Sequence, residues 1–525
     1  MGRKGRNRIR NSYVGGALVL AVSNILCRFL GFVFKVPLAN LIGAEGMGYY
    51  SFAFQIFNVV STAAVSGLPV ALSRTVAASP ENERLPILRS SLRLFCIAGG
   101  VGTAVLLLFA GGISELAGSA PSKLAVMALA PTTLFVAVES AYRGYFQGKA
   151  DMTPPAVSQA ADAVTKLVLG TAAAWYLYRA GYPAEVVAAG AILGVTVGTL
   201  VSAAVLVVSA RGEYRRAGGK RGKPIRLHGI KRRLLRLAFP LTVGALFLSM
   251  VNTVDAMVVM NRLQGTGLSQ SEATGAYGAY TGIALTVYSL PSAITSAICA
   301  SVIPAVASVG DVATADAKSR QRAYKYLKTS FRLASVVVFL AAALFAVMPR
   351  ELLSLLFSRS GDVAAAAPLL RILAPATVLS AFCSLSAAAL HAMGMMTVPV
   401  VAMAAGGFVK LALNFWLIGN PEIRVMGAPV GTVACFAVAA VINFAYIARR
   451  TGFLPPVWDC MVKPAACAML AAFTALSLYN AFIVPLGARL AGLLALCAAA
   501  LLYFFLLVFT GVLKREDGKM LSHTA

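Results

Sequence analysis

Apolar runs of roughly 20 residues, each long enough to cross about 30 Å of hydrocarbon, recur along nearly the whole chain. Such runs leave few options. In the bilayer core no water pairs with backbone N–H and C=O groups, so each run satisfies its own as a helix. Fourteen spans are predicted, near 13–42, 47–73, 93–113, 122–143, 154–178, 185–210, 234–261, 275–309, 326–348, 366–391, 397–418, 426–448, 461–481 and 489–512. Only 12% of the residues are charged, against about a quarter in soluble domains. The 525 residues are used up by spans and short loops, leaving no room for a separate soluble domain.

Two lysines lie deep in these runs at matching places. Lys166 sits in MTPPAVSQAADAVTKLVL, starting at Met152, and Lys410 in MTVPVVAMAAGGFVKLAL, starting at Met396. An offset of 244 aligns Thr153 with Thr397, Pro155 with Pro399, Leu167 with Leu411 and Leu169 with Leu413. A weaker echo aligns Gly48 and Tyr50 of GMGYYSF with Gly275 and Tyr277 of GAYGAYTG at an offset of 227. The chain therefore reads as a duplication: a first lobe of six spans (1–210), a basic linker (211–233), a second lobe of six spans (234–450), and two further spans with a tail (451–525). An even number of spans per lobe relates the two by a pseudo-two-fold axis along the membrane normal, as in secondary transporters. The last two spans carry no ionisable residue except Arg489 at an edge, and so look peripheral.

The formal net charge of +27 raises the question of nucleic acid, but its distribution points to topology. With a cytoplasmic N-terminus, cytoplasmic segments hold 34 of the 46 Lys and Arg, external segments 7 and span interiors 5. This asymmetry is the positive-inside rule and puts both termini in the cytoplasm. The densest cluster, Arg211 to Arg236, holds eleven basic residues and reads as a topology-setting loop that also attracts anionic lipid; no nucleic-acid partner is expected. The N-terminal MGRKGRNRIR and its apolar run have no small-residue cleavage site after them, so the first span is read as uncleaved. The eight cysteines form no CxxC pair and the three histidines no ligand set, so neither a metal site nor a disulfide framework is expected. Pro37, Pro69, Pro240, Pro291, Pro304 and Pro375 fall inside predicted spans, as useful kinks for a rocking transporter or as ordinary membrane packing.

Intramembrane charge is expensive and marks function. In the first span Asn24, Arg28 and Lys35, at spacings of 4 and 7, share one helical face. Lys35 lies near enough to the external end to snorkel, whereas Arg28, near mid-span, reads as lining a cavity. In the fifth span Gln159, Asp162 and Lys166 follow at spacings of 3 and 4, so Asp162 and Lys166 can pair within the helix, either as a self-neutralising structural pair or as part of a site. In the eleventh span Lys410 and Asn414 are one turn apart with no acid on that helix; Asp255 of the seventh span is the candidate partner. Arg371 is closer to the interface and can snorkel. Glu139 and Arg143, at the cytoplasmic end of the fourth span, read as a structural i,i+4 pair. Five cations (Arg28, Lys35, Lys166, Arg371, Lys410) against two well-buried acids (Asp162, Asp255) predict a net-positive interior suited to a phosphate or pyrophosphate headgroup.

The segments CRFLGFVFKVPLANLIGAEGMGYY, GLPVALSR (67–74), YRGYFQGKADMTPPAVSQ (142–159) and LPSAITSAICASVIPAVAS (290–308) resemble the stage V sporulation protein B group. That group lies in the lipid II flippase and polysaccharide exporter branch of the multidrug/oligosaccharidyl-lipid/polysaccharide superfamily. The resemblance covers roughly residues 10–450. It implies two six-helix lobes with two extra helices, alternating access, and an undecaprenyl-pyrophosphate-linked sugar as cargo. It also implies that the first-helix arginine, here Arg28, binds the pyrophosphate in a central cavity. The next essential cation of the better-known flippases falls at Phe34, with Lys35 one residue away, and the one they carry at the start of the eighth helix falls near Thr286. Asp162 and Lys166 stand where group members commonly carry Glu and Arg. Asp255 resembles a seventh-helix acid used by some flippases to bind sodium, and Lys410 is placed to substitute for that ion.

The sequence reading is thus an all-α, fourteen-span flippase of the bacterial plasma membrane, without enzymatic activity. The diphosphate is captured by Arg28, Lys35 and Lys166, with Asn24 beside them and Arg74, at the cytoplasmic end of the second span, either meeting the headgroup or anchoring the interface. Asp162, Asp255, Lys410 and Asn414 form the coupling charges. No Walker A loop is present and no cofactor is expected; the drive is the membrane potential or a gradient of H⁺ or Na⁺. Expected partners are the lipid-linked oligosaccharide, membrane lipids and cell-wall synthases. A cation-coupled drug exporter of the same superfamily calls for an acid-lined first lobe, and a membrane glycosyltransferase or polymerase for a large external loop with catalytic acids or histidines. The longest external stretch, near 349–365, offers only Glu351 and Asp362.

Overall fold

The computed structural model describes residues 3–116, 118–216, 227–307, 317–452 and 455–512. Among them the chain is all helical. In order, the helices are α1 (Arg3–Val65), α2 (Leu68–Ala77), α3 (Glu81–Leu116), α4 (Lys123–Gly148), α5 (Thr153–Thr165), α6 (Thr171–Arg179), α7 (Ala184–Arg216), α8 (Leu227–Gly265) and α9 (Gln270–Gly278). They continue as α10 (Leu285–Tyr288), α11 (Leu290–Ala307), α12 (Ala317–Val347), α13 (Pro349–Leu356), α14 (Ser360–Ala392), α15 (Thr397–Ile418), α16 (Gly427–Thr451) and α17 (Lys463–Phe509). Single π-helical segments interrupt the series at Lys166–Gly170, between α5 and α6, at Ala279–Ala284, between α9 and α10, and at Trp458–Val462, before α17.

Among the described residues, ten helices are long and apolar enough to cross a membrane. Two of them run over 52 residues each and are folded at a glycine. Gly43 (φ 69°) divides α1, and Gly487 (φ 75°) divides α17. Both adopt the left-handed backbone that only glycine reaches without strain, which turns one long apolar run into two spans. Counting the bent stretch Gln270–Cys299 (46° at its break) as one more gives eleven, and the continuous helical stretch 153–179 stands where the fifth span is expected. The protein is a multi-pass helical membrane protein.

Two prolines differ from their expected role. Pro69 and Pro291 stand in the first turns of α2 and α11. There the missing N–H has no helical acceptor to lose, so they start helices instead of kinking them. Pro37 and Pro375 do lie inside α1 and α14. The side chains of Pro240 and Pro304 lie outside the described residues.

The helices gather into two compact units. The first comprises residues up to Asn261 together with Ser269–Gly278; the second comprises Arg262–Leu268 and the chain from Ala279 onward. By packing, therefore, most of α8 and all of α9 group with the first unit, whereas the sequence repeat begins its second half at residue 234. The first unit is centred on Leu72, Phe95, Phe146 and Leu206. Within it the two segments of the weaker sequence echo pack together: a Cβ on Gly48 would stand 2.3 Å from the Thr274 carbonyl oxygen, and one on Gly278 1.7 Å from that of Ala44. In the second unit Phe331 meets Phe382 edge-on at 5.6 Å, in a core shared with Leu385 and Ile447. The first half of α17 packs on α12 through Cys467, Ala468, Ala471 and Ala472, small side chains that allow the close approach membrane helices depend on.

Candidate functional site

The first unit holds a charge network across α4, α5 and α7. Glu139 is only 5% exposed. Arg143, one turn on, and the hydroxyl of Ser202 on α7 both donate to Glu139 Oε1. Arg143 Nη2 also reaches Ser202 Oγ at 3.5 Å. Lys166 Nζ donates to Asp162 Oδ2 at 2.6 Å, the i,i+4 pair expected from the spacing. Glu139 lies within electrostatic range of both Asp162 and Lys166, and so does Cys27 of α1. The hydroxyl of Ser23 donates to the Ala156 carbonyl at 3.1 Å and ties α1 to α5 at this level. Glu139 and Arg143 thus form the i,i+4 pair expected from the spacing, and Ser202 of α7 joins it.

Asp162 and Lys166 pack against a glycine. A Cβ on Gly198 of α7 would stand 2.8 Å from Lys166 Cγ and 3.0 Å from Asp162 Oδ1. The second unit repeats this arrangement. A Cβ on Gly431 of α16 would stand 3.2 Å from Lys410 Cγ and 2.2 Å from Asn414 Oδ1. In each unit a lysine and an oxygen-bearing side chain one turn away on the same helix lie against a glycine of the next span. The oxygen residue precedes the lysine in the first unit (Asp162) and follows it in the second (Asn414). The sequence carried a signal for the glycines: GVTVGTL (194–200) and GAPVGTV (427–433) align at an offset of 233, matching Gly198 with Gly431. A further difference is in the backbone. Lys166 opens a π-helical turn, a feature frequent at functional sites, whereas Lys410 lies within the regular helix α15.

Because Asn414 is fully buried, the space opposite Gly431 is already filled. Gly431→Ala is expected to destabilise the protein by about 1–3 kcal/mol through overpacking. Asn414→Ala in the same chain should restore most of that loss, and thermal unfolding in detergent checks it. An additive double variant would show that the two residues do not share this space.

The remaining expected residues are placed as follows. Arg28 is exposed on α1 and has no ion-pair partner among the described residues. Lys35 is half-buried on the same helix. The side chain of Asn24 lies outside the described residues. Arg74 is exposed in the last turn of α2. Asp255 is buried in α8 within the first unit, while Lys410 belongs to the second. Their pairing remains a proposal.

Residues 13–309, more than half of the chain, match the family described as polysaccharide biosynthesis protein. Stage V sporulation protein B of Bacillus subtilis (strain 168) is 27% identical over 526 residues, covering 97% of each chain. Among solved structures, lipid II flippase MurJ in an inward closed conformation is similar with a TM-score of 0.71 at 14% identity, over 94% of this chain and 98% of that one. An inward-facing multidrug resistance transporter of the MATE family and MOP superfamily is similar with a TM-score of 0.64 at 15% identity, over 83% of this chain and 98% of that one. At such identities the solved structures establish the shared fold alone. The family resemblance and the all-helical polytopic fold read from the sequence are borne out.

Proposed function

The chain belongs to the polysaccharide biosynthesis protein family, and we propose that it is a flippase for an undecaprenyl-pyrophosphate-linked saccharide, lipid II or a related cell-wall precursor. The observation that carries this reading is Arg28, an exposed guanidinium in the middle of a predicted span with no ion-pair partner among the described residues. A cation at membrane depth is tolerated where a polar cavity or an anionic ligand satisfies it. The planar five-donor fork of arginine fits a phosphate group bidentately. The full-length similarity to stage V sporulation protein B and the fold shared with a lipid II flippase support the same cargo class.

In this reading Arg28 holds the diphosphate, with Lys35 and Asn24 on the same face. Arg74 meets the headgroup on the cytoplasmic side. Lys166 leaves Asp162 for the phosphate oxygens when cargo is bound and returns to it afterwards, so the ammonium has an anionic partner at both stages. Alternating access carries the head across, and its tail stays in hydrocarbon. Asp255 of the first unit and Lys410 and Asn414 of the second are coupling charges. The driving force is the membrane potential or an ion gradient, and each elementary charge moved is worth about 2.3 kcal/mol per 100 mV. Both termini face the cytoplasm, on the positive-inside asymmetry.

The test is transport in vesicles containing the purified chain and fluorescent lipid II, with a membrane-impermeant quencher outside. The expected result is rapid quenching of the inner-leaflet label with the wild type. Rates equal to protein-free vesicles, for lipid II and for a labelled undecaprenyl-diphosphate disaccharide alike, would overturn the reading.

A further inference from the structure

Asp162 depends on a single cation. Lys166 Nζ lies 2.6 Å from its Oδ2. The other carboxylate oxygen, Oδ1, is buried and has no hydrogen-bond partner among the described residues. The same holds for Oε1 of Gln159, one turn earlier on α5. Residues three apart on a helix are neighbours. Two buried acceptor oxygens therefore share one helical face, and neither has a donor.

The groups around Asp162 offer no second cation. From α4 come Glu139 and Arg143, and Arg143 is committed to the Glu139 carboxylate and the Ser202 hydroxyl. From α1 comes the Cys27 thiol, followed by the exposed Arg28, which the flippase reading gives to the diphosphate. The α7 helix presents Gly198, whose Cβ would stand 3.0 Å from Asp162 Oδ1, and has no ionisable residue between Glu185 and Arg211. The two acids Glu139 and Asp162 are balanced by Arg143 and Lys166, one cation each.

Cargo upsets this balance. When Lys166 turns to the phosphate oxygens, the Asp162 carboxylate loses its cation, and the diphosphate adds negative charge beside it. Arg143 cannot take over without abandoning Glu139. An ionised carboxylate with no counter-ion at membrane depth is costlier than its neutral acid. The neutral acid also has one O–H to donate, and Gln159 Oε1 is an acceptor one turn away. We propose that Asp162 takes up one proton when cargo binds, and that Gln159 Oε1 accepts from the new carboxylic O–H. The proton comes from cytoplasmic water as Lys166 leaves, and goes to external water as Lys166 returns and displaces it. The cargo complex then crosses with one negative charge fewer, and an acidic exterior slows the reset. This rests on the flippase reading and adds to it a proton site linked to cargo binding.

The test is calorimetric titration of the full chain in detergent with lipid II, at one pH in two buffers of different ionisation enthalpy. Lipid II is a diphosphate diester, and it lacks the phosphate monoester proton that titrates near neutrality. The expected result is about one proton taken up per lipid II bound, with an affinity that falls by up to about tenfold for each unit of rising pH. Asp162→Asn carries an uncharged amide in place of the acid and should bind lipid II without proton uptake, whereas Asp162→Glu should keep the uptake. Infrared difference spectra read the same event without the Asn variant: lipid II should raise a protonated-carboxyl band in the wild type, and Asp162→Glu should shift it. Binding by the wild type with no proton uptake, or uptake undiminished in Asp162→Asn, would overturn the proposal and leave the flippase reading standing. If lipid II does not bind at all, the lipid II reading falls and the proton site with it.

Discussion

Arg28→Ala is expected to lower kcat/KM for flipping by roughly 10- to 150-fold. The estimate follows from about 1.5–3 kcal/mol for hydrogen bonds to a charged group, converted at 1.36 kcal/mol per tenfold in rate. Arg28→Lys keeps the charge and loses the bidentate fork, so it should fall between the wild type and Arg28→Ala. The vesicle assay over a range of lipid II concentrations checks both. If Arg28→Ala flips at the wild-type rate, the exposed guanidinium of α1 is not the headgroup ligand.

Glu139→Leu is expected to be among the most destabilising single changes in the first unit. It leaves Arg143 in the membrane interior without its carboxylate and deprives the Ser202 hydroxyl of its acceptor. Removing one partner of a buried pair costs about 3–5 kcal/mol, whereas replacing both with apolar residues is often neutral. Glu139→Leu with Arg143→Leu should therefore recover most of the loss in thermal unfolding. The double variant then separates two roles by transport. Restored stability with lost transport assigns the network to function; restored stability with intact transport makes it scaffolding. A Glu139→Leu chain as stable as the wild type would contradict the buried network itself.

Much of this protein was legible from apolar periodicity, because the bilayer leaves the backbone so little choice. The 4-residue spacing of Asp162 and Lys166 foretold their 2.6 Å pair. The breaks at Gly43 and Gly487 fall where the predicted spans were divided. What the sequence hid has physical reasons. Glu139 lies near the end of its apolar run, and run length alone does not show that α7 brings Ser202 against it. Gly198 and Gly431 repeat in register, but glycine is common in membrane helices, and its meaning here lies in the side chains it admits across a helix crossing. The π-helical turn at Lys166 is a shift of backbone hydrogen bonding that residue types do not announce. Pro69 and Pro291 were read inside spans because hydropathy does not separate a helix start from a helix interior.

The most direct test of the central claim is complementation. Cells depleted of their own lipid II flippase receive the wild-type chain or Arg28→Ala, with both proteins quantified in membranes. The account predicts that the wild type restores growth and wall synthesis and that Arg28→Ala, at equal abundance, does not. Equal rescue by both would contradict the cationic headgroup site, and failure of a well-expressed wild type would contradict lipid II as the cargo.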